Sequence, residues 1–313
     1  MQKDQLFILD KWIKNYLNEK KTLNLSSNTL MNYKRVLDSF YQFFALKNEE
    51  EAINSIFDID RDFILEYLNS KGDIAVNTKN LHITVIKSFL GYITEHNNDN
   101  IDLTQKLKGI TAKSVKRESE SLSKEEEVIL EGYLNNPLNL KKKNFLQVRN
   151  RLLVKLLYYT GVRASELLSI KLSDISLMKE EGVYKISILG KGSKYRYVYI
   201  KQEIIEDDLQ YIQDYLHADE IMIENNKEHF IAVTQKGRVM HRAELYTMLD
   251  RLYKKLYIKK RGVHMLRHTF GKRMVQKNVN LSTIKEMMGH ENIQTTMIYA
   301  RSDERSMIEA IWR

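Results

Sequence analysis

Apolar side chains recur three and four positions apart along much of the chain, the spacing that gives a helix one oily face. In the first third, Leu30, Tyr33, Val36, Leu37, Phe40, Phe43 and Phe44 mark one such helix, and Leu81, Val85, Ile86, Phe89, Leu90 and Ile93 mark another. The pattern predicts three or four amphipathic helices packed as an all-α bundle, with the aromatics in its core. Asp58 or Asp60 can cap a shorter helix running to Leu68, and Asn77 can cap one that begins near Thr78.

The helical period returns over 123–135 and 143–160 and then changes. Val183–Leu189 and residues 194–200 are short β-branched and aromatic runs on either side of Gly190, Lys191, Gly192 and Ser193, the composition of a β-hairpin. Further helices are expected over 202–217, 242–257, 263–277, 281–289 and 294–300, with a strand near 230–234. One proline and 12 glycines in 313 residues leave few helix breakers, so the fold class is mainly α with a small antiparallel β-sheet.

Charge divides the chain more sharply than hydropathy does. Residues 1–112 hold 14 Lys and Arg against 15 Asp and Glu, while residues 113–313 hold 36 against 26, so the basic excess lies wholly in the second part. Between them AKSVKRESESLSKEEE shows no apolar periodicity and reads as an exposed linker over 112–122, entering a helix through a capping box of Ser123 and Glu126. Two domains are therefore expected, 1–112 and 123–313. A basic surface suits nucleic acid, an anionic membrane surface or an acidic protein. The absence of cysteine excludes disulfides, thiolate catalysis and Cys-ligated zinc. Residues 1–30 carry neither a long apolar run nor a signal-peptide core, so a cytoplasmic protein without membrane association is expected.

Four stretches carry candidate chemistry, and none outweighs its plain structural reading alone. Arg163 follows Gly161, which can end one helix and release the guanidinium at the start of the next; its planar fork could grip two phosphate oxygens, or it could be an ordinary salt-bridging arginine with Glu166 as a partner. Lys191 sits between two glycines at a β-turn and could donate a proton, or be a solvated loop lysine. His264, Arg267 and His268 share a helix face in VHMLRHTFGKRM. The His264 and His268 spacing also fits two zinc ligands, but Met265 stands where a zinc protease keeps its glutamate. His290 follows Gly289, and Tyr299 comes nine residues later. An unassisted tyrosine, with a pKa near 10, is a poor nucleophile. Lys272 and Arg273 could contact phosphate or simply form a solvated helix face.

The order of these groups is more telling than any one of them. TGVRASELL at 160–168, GKGSK at 190–194, HMLRHTF at 264–270 and MMGHENIQTTMIYA at 287–300 resemble the tyrosine recombinase family of phage integrases and Xer-type recombinases. The resemblance spans nearly the whole chain and implies an N-terminal four-helix, SAM-like core-binding domain followed by a mostly helical catalytic domain. It further implies that Tyr299 attacks a scissile DNA phosphate to give a 3′-phosphotyrosine and a free 5′-hydroxyl. Arg163 and Arg267 would hold the non-bridging oxygens, His264 and His290 would orient the phosphate and manage protons, and Lys191 would protonate the leaving oxygen.

No cofactor or metal is expected, and no ATP, because the phosphotyrosine preserves the energy of the broken bond. The implied partners are double-stranded recombination sites, paired by a homotetramer through a Holliday junction, with a second recombinase or a DNA-translocase activator as further candidates. Met307, Ile308, Ile311 and Trp312 form an apolar edge after Tyr299 that resembles a tail docking on a neighbouring subunit; folding back on its own domain is the alternative. The compact length and the GKGSK hairpin look most like Xer proteins of chromosome partition at cell division, acting at the nucleoid. A mobile-element integrase, a type IB topoisomerase and a non-catalytic DNA-binding regulator are the competing readings.

Overall fold

The computed structural model describes residues 2–50, 53, 55–111, 120–136, 144–190, 195–259, 262–290, 292 and 294–297. Lys191, Tyr299, the tail from 302 onward and most of the expected linker lie outside these residues. The chain divides into two units, Met1–Lys116 and Arg117–Arg313.

Among its described residues the first unit contains α1 (Gln2–Thr22), α2 (Ser27–Glu49), α3 (Arg61–Asn69) and α4 (Val76–His96), with two short 3-10 turns. The apolar stripes read from the sequence meet in one core around Tyr16, Leu37, Phe40, Phe44, Tyr67, Phe89 and Leu90, all fully buried. Edge-to-face aromatic pairs, such as Phe40 with Tyr67 at 5.3 Å between centroids, give the core a fixed geometry beyond its burial. Asp60, not Asp58, caps α3, its Oδ1 accepting from the Phe63 amide at 2.8 Å. Asn77 does not cap α4. The helix starts earlier because the Ala75 carbonyl already accepts from the amides of Thr78 and Lys79, leaving Asn77 inside the first turn.

The second unit is built around α6 (Phe145–Thr160), buried on nearly every side and flanked by α5 (Lys124–Asn135), which opens on the expected Ser123–Glu126 capping box. Leu122 is already buried, and its amide donates to Thr269 Oγ1 at 2.9 Å, so the stretch expected to be exposed is anchored by that point. Burying cations on α6 requires compensation. Asp208 of α8 (Gln202–Ala218) supplies it, accepting from Lys155 at 2.8 Å and from both Nε and Nη2 of Arg151.

The sheet has three antiparallel strands in the order β1 (Ile175–Met178), β2 (Val183–Leu189) and β3 (Tyr195–Lys201), with Ile186 opposite Val198. The hairpin matches the expectation to within a residue, whereas β1, only four residues long, gave no readable alternation. Residues 230–234 do not form a strand; Phe230 and Val233 make only isolated bridges to Lys171 and Val239. After α9 (Glu220–Asn225), which was not expected, come α10 (Arg242–Lys255), α11 (Val263–Gln276), α12 (Leu281–Met288) and α13 (Gln294–Met297).

Candidate active site

Gly161 begins the site. It ends α6 in the left-handed conformation at φ 65°, and a Cβ there would lie 2.5 Å from the Phe270 ring of α11. The close approach of α6 and α11 brings the buried Arg267 beneath the turn, where its Nη1 donates to the Gly161 carbonyl at 2.6 Å and its Nη2 to the Met288 carbonyl at 2.6 Å. Arg163 caps the five-residue helix α7 (Ala164–Leu168). Its Nη2 donates to the next carbonyl, Gly289, at 2.6 Å, and its Nη1 to Glu166 Oε1 at 2.8 Å. Two guanidinium groups distant in the chain are thus fixed on successive carbonyls at the end of α12.

Glu166 is more than a pairing partner for one arginine. Its carboxylate accepts from the Arg163 amide at 2.7 Å and from both Nη atoms of Arg196, on β3, at 2.8 Å each. Burial pushes this carboxyl upward, but the bonds from Arg196 and Arg163 overcome it and hold the group at about 2. Arg196 was absent from the sequence-based set, yet a signal existed. Arg196, Val198 and Ile200 share the inward face of β3, while Tyr195, Tyr197 and Tyr199 face out, so this arginine occupies a core-facing position.

The histidines gather on the same cluster. His290 is buried, its Nδ1 shares a hydrogen bond of 2.8 Å with Thr296 Oγ1, and burial followed by the charges of Arg267 and Arg163 pushes its pKa down to about 4. His264 is more exposed, and partial burial with Arg242, Arg267 and Arg163 beside it lowers it as well. Arg242 Nη2 stands 3.4 Å from His264 Nε2 and can only donate, so that nitrogen is the unprotonated one. His268 is lowered by burial and then by His264 and Arg267. All three imidazoles are thus pushed toward the neutral form, and among the described residues of the site the arginines carry the positive charge.

Four of the six residues singled out from the sequence, Arg163, His264, Arg267 and His290, therefore come together; Lys191 and Tyr299 lie outside the described residues. Arg242, Thr296 and Arg196 join them unforeseen. Arg273, read from the sequence as either a phosphate contact or part of a solvated helix face, turns inward instead. Its guanidinium lies 4.4 Å from the Tyr158 ring centroid and 3.6 Å from Glu127, inside the unit. Among the described residues no group of three or more His, Asp or Glu side chains is placed to hold a metal ion, so the His264 and His268 pair lacks a third ligand there. No helix among them is long and apolar enough to cross a membrane.

The phage integrase family model matches residues 99–306, two thirds of the chain and every residue of this site. The chain belongs to the phage integrase family. The chain is 31% identical over 309 residues to tyrosine recombinase XerH of Helicobacter pylori, covering 94% of the chain and 82% of the relative. It is 30% identical over 278 residues to tyrosine recombinase XerD of Oceanobacillus iheyensis, covering 88% of each. Its fold matches the crystal structure of XerH bound to difH substrate in a pre-cleavage complex, with a TM-score of 0.78, 27% identity and coverage of 99% of this chain and 97% of that one. A lambda integrase dimer on a core site shares the fold at a TM-score of 0.65 and 16% identity. Within its family the chain is an Xer-type tyrosine recombinase, a class that performs site-specific DNA recombination.

Proposed function

We propose that this recombinase cuts and rejoins DNA strands at a pair of duplex sites through a 3′-phosphotyrosine formed on Tyr299. The observation that carries the reading is the anchoring of Arg163 and Arg267 on the adjacent carbonyls of Gly289 and Met288. Negative charge grows on the non-bridging oxygens as the phosphorus becomes pentacovalent. Preorganised guanidinium donors stabilise that charge with no reorganisation during the step. His264 and His290, neutral and flanking the arginines, orient the phosphate through hydrogen bonds. Lys191 gives its proton to the 5′-oxygen as the P–O bond breaks, and the tyrosyl oxygen takes over the bond to phosphorus, its phenolic proton passing to a neutral histidine of the site. Attack by the 5′-hydroxyl of the other duplex reverses the step and yields a Holliday junction, so no cofactor, metal or ATP enters.

XerH and XerD relatives support a role in resolving chromosome dimers in the cytoplasm, at the nucleoid, over mobile-element integration. In this reading residues 1–112 form a core-binding domain, a homotetramer pairs the two sites, and the tail after residue 302 docks on the neighbouring subunit. A second recombinase or a DNA translocase as activator fits the same scheme. The test is a suicide duplex carrying a sequence selected by the full chain from a random library, incubated in excess EDTA and run on a denaturing gel. A covalent adduct is expected, and Arg163→Ala or Arg267→Ala should slow its formation on the order of 10²-fold or more. Cleavage that strictly requires Mg²⁺ would overturn the site.

A further inference from the structure

We infer that Arg196 is a positioning residue that sets Arg163 for the phosphate by occupying Glu166, an inference that rests on the reading of Arg163 given above. Glu166 has two oxygens and three positively charged or polar claims on them. Arg196 takes one contact on each oxygen at 2.8 Å, and the Arg163 amide takes a further one on Oε2. The Arg163 side chain is left with a single contact, from Nη1 to Oε1, and its Nη2 turns to the Gly289 carbonyl. Without Arg196, a carboxylate three residues along the chain would be open to the parallel two-bond pairing that arginine and carboxylate favour. That pairing would engage the face of the fork that a phosphate needs. Arg196 also leaves the cluster with two positive charges against one negative, so Arg163 keeps its attraction for an anion although it is salt-bridged.

The same side chain reaches the other anchor. Arg196 Nε donates to the Met287 carbonyl at 3.3 Å, and a Cβ on Gly289 would lie 2.9 Å from that Nε, so the glycine at the end of α12 leaves room for the guanidinium. Arg196 is mostly buried and Glu166 almost wholly so, and charge-assisted bonds in such surroundings are strong and directional. One arginine on β3 therefore braces Glu166, Arg163 and the turn leading into His290.

The test compares single-turnover adduct formation by the full chain, at saturating protein, on a scissile phosphodiester and on the neutral methylphosphonate. Arg196→Gln should bind the duplex within about 2-fold of the parent while forming adduct on the order of 10²-fold more slowly, as loss of a preorganised donor does. On the methylphosphonate, with one less charged oxygen for Arg163 to hold, that deficit should shrink. Arg196→Lys, which keeps the charge but not the fork, should fall between, and it carries the same comparison if the glutamine variant does not fold. An adduct rate equal to the parent's, or a deficit of equal size on both substrates, would overturn the inference while the parent still cleaves. A parent that forms no adduct, or an Arg163→Ala variant that loses nothing, would instead overturn the reading on which it rests.

Discussion

Thr296 Oγ1 stands 2.8 Å from His290 Nδ1, and both residues are buried. The bond ties α13, the helix that leads toward Tyr299, to the histidine beside Arg163 and Arg267. In the tautomer whose Nδ1 accepts from the Thr296 hydroxyl, the proton of the neutral ring sits on Nε2, free to be donated in a further hydrogen bond.

Thr296→Val keeps the shape and removes the hydroxyl. Losing this buried hydrogen bond loosens the orientation of His290, so adduct formation should slow roughly 10-fold, an effect of about 1.4 kcal/mol, while duplex binding is retained. Single-turnover cleavage beside a binding titration checks this; an unchanged cleavage rate would show that the bond has no part in orienting His290.

Stability should fall as pH drops below about 6.5. The pKa of His290 is held at about 4 in the fold, and His264 and His268 are also lowered. Between its folded value and the ordinary histidine value near 6.5, the unfolded chain binds the extra proton, so stability rises with pH through this window and levels off above it. For His290 alone the loss from pH 7 to pH 4 is on the order of 3 kcal/mol. Glu166, held at about 2, adds a further loss as pH falls through the carboxylate range. Chemical denaturation of the full chain from pH 4 to 8 measures the profile, and His290→Asn should flatten it. A profile that is level from pH 7 to 4.5 would contradict the burial of these imidazoles.

DNA affinity should be strongly salt-dependent, since the basic excess lies wholly in residues 113–313. If this part neutralises about six phosphates, affinity drops on the order of 10³ between 50 and 200 mM salt. A titration of log affinity against log salt reads the number of contacts directly. A near-flat line would place recognition outside the basic half.

Legibility in the sequence followed how local each determinant was. The helices with clean apolar stripes, the Ser123–Glu126 box and the β2–β3 hairpin depend on neighbours a few residues away, and they lie where spacing and turn chemistry put them. The start of α4 was misplaced because the cap is a backbone carbonyl, that of Ala75, and a carbonyl has no sequence signature. Arg163, His264, Arg267 and His290 were legible as an ordered set of motifs, yet nothing in the motifs said that Gly161, Met288 and Gly289 would serve as carbonyl anchors. Arg196 was hidden for a different reason. Its alternation with the outward tyrosines marks it as facing in, but its partner Glu166 comes from a distant element that spacing along β3 does not reveal. Thr296 gave no signal at all, because a single threonine near a chain of 18 tyrosines and 50 cations carries no pattern until His290 is beside it.

The central claim is that Tyr299 is the nucleophile of a phosphate held by Arg163 and Arg267. It is tested most directly by trapping the full chain on a suicide duplex, digesting the complex and locating the nucleotide-bearing peptide by mass spectrometry. A nucleotide joined through its 3′-phosphate to Tyr299, and no adduct from Tyr299→Phe while that variant still binds the duplex, is the expected result. A nucleotide on any other residue, a 5′-phosphate linkage, or an undiminished adduct from the phenylalanine variant would contradict it.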